Sequence, residues 1–125
     1  MAPVTIHVID DDEAMRRSLA FLLESAGFSV STHDSAVAFL ALPEISETAV
    51  VVTDVRMPDV SGLELVQRMR ARGMAHAVIM VTGHGDGALG AEALKAGALE
   101  VLEKPFGDEA LLSAIRVAIQ DGPPA

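Results

Sequence analysis

The chain has 125 residues, half of them apolar, with 9 Lys and Arg against 18 Asp and Glu for a net charge of −9, and no cysteine. That length fits one domain with a real core. The acidic balance opposes nucleic-acid binding by this domain, and the absence of thiols removes disulfide and thiolate chemistry, as expected of a cytoplasmic protein. No apolar run approaches the roughly 18 residues of a membrane span. Met1-Ala2-Pro3 leads straight into a strand pattern without the regions of a secretion signal, so no membrane contact is expected.

Strand-like and helix-like segments alternate along the chain. Val4 to Ile9 reads as a first strand, and Glu13 to Ala26 as a helix with Met15, Leu19, Leu22 and Leu23 at helical spacing, stopped by Gly27. Phe28 to Thr32 is a shorter, half-polar strand suited to a sheet edge. Asp34 or Ser35 can cap a helix to about Leu42, ended by Pro43. Ala49 to Thr53 is the most apolar strand, hence central. Gly62 to Arg72 forms a helix with Leu63, Val66 and Met69 on one side, closed by Gly73. Ala77 to Val81 is the fourth strand, and Gly85 to Ala96 a helix ended by Gly97. Leu99 to Glu103 is the fifth strand. Asp108 caps a last helix to about Gln120, with Leu111, Leu112, Ile115, Ala118 and Ile119 as its inward stripe. Such alternation with short connections implies a parallel α/β sheet covered on both faces. Residues 1–121 are expected to form the domain, and Asp121-Gly122-Pro123-Pro124-Ala125 has the composition of a linker.

Chemistry-bearing residues gather where strands hand over to loops. Asp10-Asp11-Asp12 follows the first strand, Asp54 ends the third, Thr82 the fourth, and Lys104 follows the fifth. In an open α/β sheet, ligands bind just outside the carboxyl ends of the strands, so these groups should converge. Three carboxylates exceed what a helix cap needs, although a solvated acidic first turn would also account for them. Crowded carboxylates raise one another's pKa unless a cation compensates, and Mg²⁺ does so with one or two protein carboxylates and several waters. Asp54 is the candidate nucleophile, since a carboxylate can accept a phosphoryl group as an acyl phosphate; alternatively it is a turn-forming residue before Met57-Pro58. Thr82, flanked by Gly83 and Gly85, offers a hydroxyl to phosphate oxygens or a cap to the next helix. Lys104 supplies a point charge suited to carboxylate and phosphate.

The segments His7-Val8-Ile9-Asp10-Asp11, Thr53-Asp54-Val55-Arg56-Met57-Pro58-Asp59-Val60-Ser61-Gly62, Thr82-Gly83-His84-Gly85-Asp86 and Glu103-Lys104-Pro105-Phe106 resemble the receiver domain of two-component response regulators, especially the FixJ-type subgroup. The resemblance covers the whole chain. It implies a CheY-like, flavodoxin-like fold of five parallel strands in the order 2-1-3-4-5 with five helices, the order for which the handling of ligands at the switch point is general. It also implies phosphorylation of Asp54 by a sensor histidine kinase, and Mg²⁺ held by Asp11, Asp54 and the backbone carbonyl of Arg56, with Asp10 acting mainly through water. Thr82 and Lys104 would contact the phosphoryl group, and the Lys104-Pro105 bond would be cis. Signalling would pass through the fourth helix, fifth strand and fifth helix, with homodimerisation on phosphorylation, to a helix-turn-helix output domain controlling transcription.

Two departures from that pattern bear on signal output. Where family members carry Phe or Tyr three residues before the lysine, this chain has Val101, a stiff β-branched residue with no ring to swing. Gly87 and Gly90 also weaken the fourth helix, each by roughly 1 kcal/mol relative to alanine. Two alternatives stand beside the phosphoacceptor switch. A haloacid-dehalogenase-type phosphatase would use a similar set, but it places an acid-base aspartate where Arg56 stands; a degenerate receiver would act unphosphorylated as an interaction module. His7, His33, His76 and His84 lack metal-ligand spacing and suit surface or loop roles, and the methionines suit gap-filling.

Overall fold

The computed structural model describes residues 4–83 and 87–121. Its elements are β1 (Thr5–Ile9), α1 (Glu13–Ser25), β2 (Ser29–His33), α2 (Ala36–Leu40), β3 (Val50–Asp54), α3 (Gly62–Ala71), β4 (Ala77–Thr82), α4 (Gly87–Ala96), β5 (Glu100–Glu103) and α5 (Asp108–Asp121). All strand pairs are parallel and the sheet order is β2-β1-β3-β4-β5.

Strand alternation explains the two cores. Val50 and Val52 of β3, with Ala77, Ile79 and Val81 of β4, pack with Leu19 and Leu23 of α1 and Leu111 and Ile115 of α5. Val51, Val78 and Met80 turn the other way, onto Phe39 of α2, Leu65 and Met69 of α3 and Ala93 of α4. The chain runs leftward from β1 to β2 and rightward from β2 through β3, β4 and β5. Right-handed crossovers in opposite directions put their helices on opposite faces. The reversal leaves a crevice at the carboxyl ends of β1 and β3, where Asp10 and Asp54 sit.

Local signals fix the helix ends. Asp12 caps α1 by accepting from the Ala14 and Met15 amides, Ser35 caps α2 and Ser61 caps α3. Gly27, Gly73 and Gly97 follow α1, α3 and α4 with positive φ, the left-handed turn that lacks a Cβ penalty. At the opposite end of the sheet from the crevice, Arg70 donates to the carbonyls of Met74 (2.7 Å), His76 (2.9 Å) and Gly97 (2.8 Å), tying α3, β4 and α4 together.

Several expectations need correction. Helix α2 is one residue past a single turn rather than reaching Leu42, because Ala41 already leaves the helix before Pro43. The buried side of α3 is Leu65, Val66 and Met69, with Leu63 only partly covered. On α5 the inward stripe is Leu111, Ala114, Ile115 and Ala118, while Ile119, about 100° round the helix from the buried Ala118, lies at the surface. His7 and His76 are buried rather than superficial. His7 lies on the α2 face, its ring packed in a triangle with those of His33 and Phe39, centroids 5.3 Å from each, and its Nδ1 is 3.0 Å from His33 Nε2. His76 Nε2 donates to the Ser46 carbonyl at 2.9 Å. His84, the first residues of the expected fourth helix and the linker residues 122–125 lie outside the described residues.

Candidate functional site

The acidic cluster divides its labour. Asp12 Oδ1 is used as the cap of α1, which leaves Asp10 and Asp11. These two and Asp54 each bring a carboxylate oxygen within 4.8 Å of the others. Asp10 is buried, Asp11 is exposed, and the Asp54 side chain retains 14% of its surface, enough for access from solvent. The Asp10 carboxyl is held above the usual carboxylate range, chiefly by burial. The Asp12 amide, which donates to Asp10 Oδ1 at 2.9 Å, opposes this; Asp54 adds to it, Lys104 opposes and Asp11 adds again.

Lys104 Nζ sits 3.3 Å from Asp54 Oδ2. The other oxygen, Oδ1, accepts from the Arg56 amide at 3.2 Å, so both sides of the carboxylate are addressed by donors. Lys104 is tied to β4 through the main chain. Its own amide donates to the Thr82 carbonyl at 2.8 Å, and the Lys104-Pro105 bond is cis. Thr82 is buried at the end of β4, one residue beyond the Asp54–Val81 register pair. The expected residues Asp10, Asp11, Asp54 and Lys104 are thus together, Arg56 meets Asp54 through its backbone, and Thr82 is attached to Lys104 through the main chain.

Sequence reasoning missed three contributors. Gly62 opens α3 directly under the site: its amide donates to the Val55 carbonyl at 2.8 Å, and a Cβ there would collide with the Asp54 carbonyl. The only local signal is a glycine directly after a capping serine. Thr53 Oγ1 donates to the Asp54 carbonyl at 3.1 Å from within the core. Arg16 reaches back from α1 to the Asp10 carbonyl at 2.8 Å.

Chemically, the arrangement is a solvent-accessible carboxylate held between a cation and an amide. It adjoins hard oxygen donors of net negative charge, the donor set Mg²⁺ prefers over softer metals. Crowding and the unfavourable ionisation of Asp10 mark a pocket that gains from a cation.

Comparisons with known proteins agree with this geometry. The model of the response regulator receiver domain matches residues 6–116. "Transcriptional regulatory protein FixJ" of Azorhizobium caulinodans is 54% identical over 114 residues, covering 91% of this chain and 54% of that protein. The protein of the same name from Rhizobium meliloti is 46% identical over 118 residues, covering 94% and 58%. The chain thus spans little more than half the length of these curated relatives. Among solved structures, the crystal structure of FixJ-N superposes with a TM-score of 0.91 at 44% identity and full coverage of both chains. Full-length FixJ from B. japonicum gives 0.90 at 51% identity, over 97% of this chain and 60% of that one. Phosphorylation of an aspartate by a histidine kinase is the general mechanism of such domains, which are phosphoacceptor switches rather than catalytic enzymes and which generally bind Mg²⁺ at the acidic pocket. Of the alternatives open from sequence, the phosphatase reading is set aside: this chain belongs to the response regulator receiver domains, of the FixJ type.

Proposed function

We propose that Asp54 is the phosphoacceptor, with Lys104 and Thr82 as the groups that meet the transferring phosphoryl oxygens. The observation that carries this is the contact of Lys104 Nζ with the accessible Asp54 carboxylate, 3.3 Å, beside Asp10 and Asp11. An Asp54 oxygen attacks phosphorus, the P–N bond of a phosphohistidine donor breaks as the new P–O bond forms, and the imidazole leaves, taking up a proton from water. Lys104 shifts from the carboxylate to the incoming phosphoryl oxygens, and the Thr82 hydroxyl donates to another. Asp11, Asp54 and the Arg56 carbonyl would hold Mg²⁺, with Asp10 mainly through water; when bound, the ion supplies positive charge against the transferring oxygens. Because these groups belong to the receiver, the domain assists its own phosphorylation and dephosphorylation, and a small phosphodonor can serve in place of the kinase.

The donor must approach over a surface that borders the site. A groove between α1 and the segment after β5, lined by Met15, Leu22, Phe106 and Lys104, does so, and Phe21 at its edge is 76% exposed. The output face is that of α4, β5 and α5, the surface for a phosphorylation-dependent homodimer, and Leu94 of α4 is an exposed apolar residue. The domain comprises residues 1–121, and 122–125 begin a linker toward an output domain; the names of the relatives favour transcriptional control as the output.

Incubation with acetyl phosphate and Mg²⁺, read by intact mass, tests this reading. The wild type gains one phosphoryl group and Asp54→Asn none, whereas an unlabelled wild type would make the chain an unphosphorylated interaction module. Phe21→Ser slows transfer from the kinase and leaves labelling by acetyl phosphate unchanged.

A further inference from the structure

We propose that Arg16 is a positioning residue for the acidic pocket, acting on the metal through Asp10 rather than touching it; the inference rests on the phosphoacceptor reading above. Arg16 and Arg17 are adjacent on α1 and behave differently. Arg17 makes an exposed pair with Glu13 one turn earlier, at 3.2 Å, of the kind that adds little to stability. Arg16 is half-buried and turns back past the start of its own helix, where Nη1 donates to the Asp10 carbonyl at 2.8 Å.

That carbonyl is the pivot of the turn between β1 and α1. The Asp10 amide is held by the His33 carbonyl at 3.1 Å, and Asp10 Oδ1 by the Asp12 amide at 2.9 Å. With the Arg16 bond, the amide, the carbonyl and the carboxylate of Asp10 are all tied, to β2, α1 and the cap of α1 respectively. The plane of the peptide joining Asp10 to Asp11 is thereby set, and with it the direction in which both carboxylates leave the chain toward Asp54. Guanidinium suits this task because it stays charged and presents donors in a fixed plane. Loss of a group that orients a metal ligand typically lowers affinity by about 10–100-fold.

The test is a Mg²⁺ titration of unphosphorylated wild type, Arg16→Ala and Arg16→Lys, followed by calorimetry without phosphodonor. Arg16→Ala should bind Mg²⁺ roughly tenfold more weakly, the low end expected for an orienting group. Arg16→Lys, which keeps a donor of similar reach, should recover most of the loss. In acetyl phosphate labelling, Arg16→Ala should need more Mg²⁺ for half-maximal rate but reach nearly the wild-type rate at saturation. Should Arg16→Ala not fold, Arg16→Gln, too short to reach the carbonyl, is read in its place. A lower melting temperature with unchanged Mg²⁺ affinity would make Arg16 merely structural and overturn the proposal. Equal affinity in all variants would overturn it too, while leaving the phosphoacceptor reading intact. Absence of Mg²⁺ binding by the wild type would instead defeat that reading.

Discussion

Acidification from pH 7 to pH 5 should weaken the fold through His7, a residue outside the phosphoacceptor site. Its imidazole is only 7% exposed and lies on the α2 face against His33 and Phe39. Burial first, then the neighbouring His33 and His76, lower its pKa from 6.5 to about 4. The unfolded chain therefore binds more protons than the native one between those values, and stability rises with pH across that window. It is fully present above about 6.5 and is lost progressively as pH falls toward 4. At pH 5 the unfolded imidazole is almost wholly protonated and the folded one almost wholly neutral, a loss of about 2 kcal/mol. That corresponds to roughly 1 M in urea midpoint for a domain of this size. Asp10 titrates with the opposite sign, since its folded pKa is raised, so the measurement is a difference: urea unfolding at both pH values for wild type and for His7→Leu. Leucine suits the apolar environment, and the variant should lose markedly less stability than wild type on acidification. Equal losses in the two proteins would refute the assignment of the pH dependence to this buried ring.

Asp10→Asn should stabilise the metal-free protein at pH 7, because it removes a buried carboxylate crowded by Asp54 and Asp11 while an amide oxygen can still accept from Asp12; it should also shrink the stabilisation gained on adding Mg²⁺. A drop in metal-free melting temperature would contradict this. Signal transmission should be concentrated in the first turns of α4: hydrogen exchange of beryllofluoride-treated protein should differ from that of the free form over residues 87–94, and identical protection would sink the idea. Gly90→Ala adds roughly 1 kcal/mol of helix propensity. The new methyl, however, would stand 3.1 Å from Val101 Cγ1, so the substitution should stabilise more in a Val101→Ala background than alone by thermal unfolding. Equal effects in the two backgrounds would uncouple the pair.

Much of the site was legible because the motif residues stand at strand ends, and continuous β-branched apolar runs such as Val50 to Val52 leave little freedom over where a strand stops. The parallel sheet followed from alternation alone, whereas the 2-1-3-4-5 order came from resemblance, since nothing local says which strand pairs with which. His7 shows where a local reading stops. It occupies an inward position of β1 and is accommodated by His33, 26 residues away, a partnership no local pattern encodes. Arg16 reads as an ordinary solvated helix residue until the chain turn places the Asp10 carbonyl within its reach. Gly62 reads as a weak helix start until the loop from Val55 to Ser61 folds back and brings the Asp54 carbonyl to where a side chain would be.

The grip of Arg70 on three carbonyls gives the molecule two unlike poles. At the pole of the acidic pocket, the carboxylates of Asp10, Asp11 and Asp54 meet the Lys104 ammonium, and cohesion there varies with charge. At the other, one guanidinium meets neutral acceptors from three separate segments, and neither protonation of a carboxylate nor a phosphoryl group on Asp54 alters what those acceptors offer. The C-terminal end of α4 is moored at the indifferent pole through the Gly97 carbonyl, while its first residues follow the strand that ends at Thr82 beside the acidic pocket.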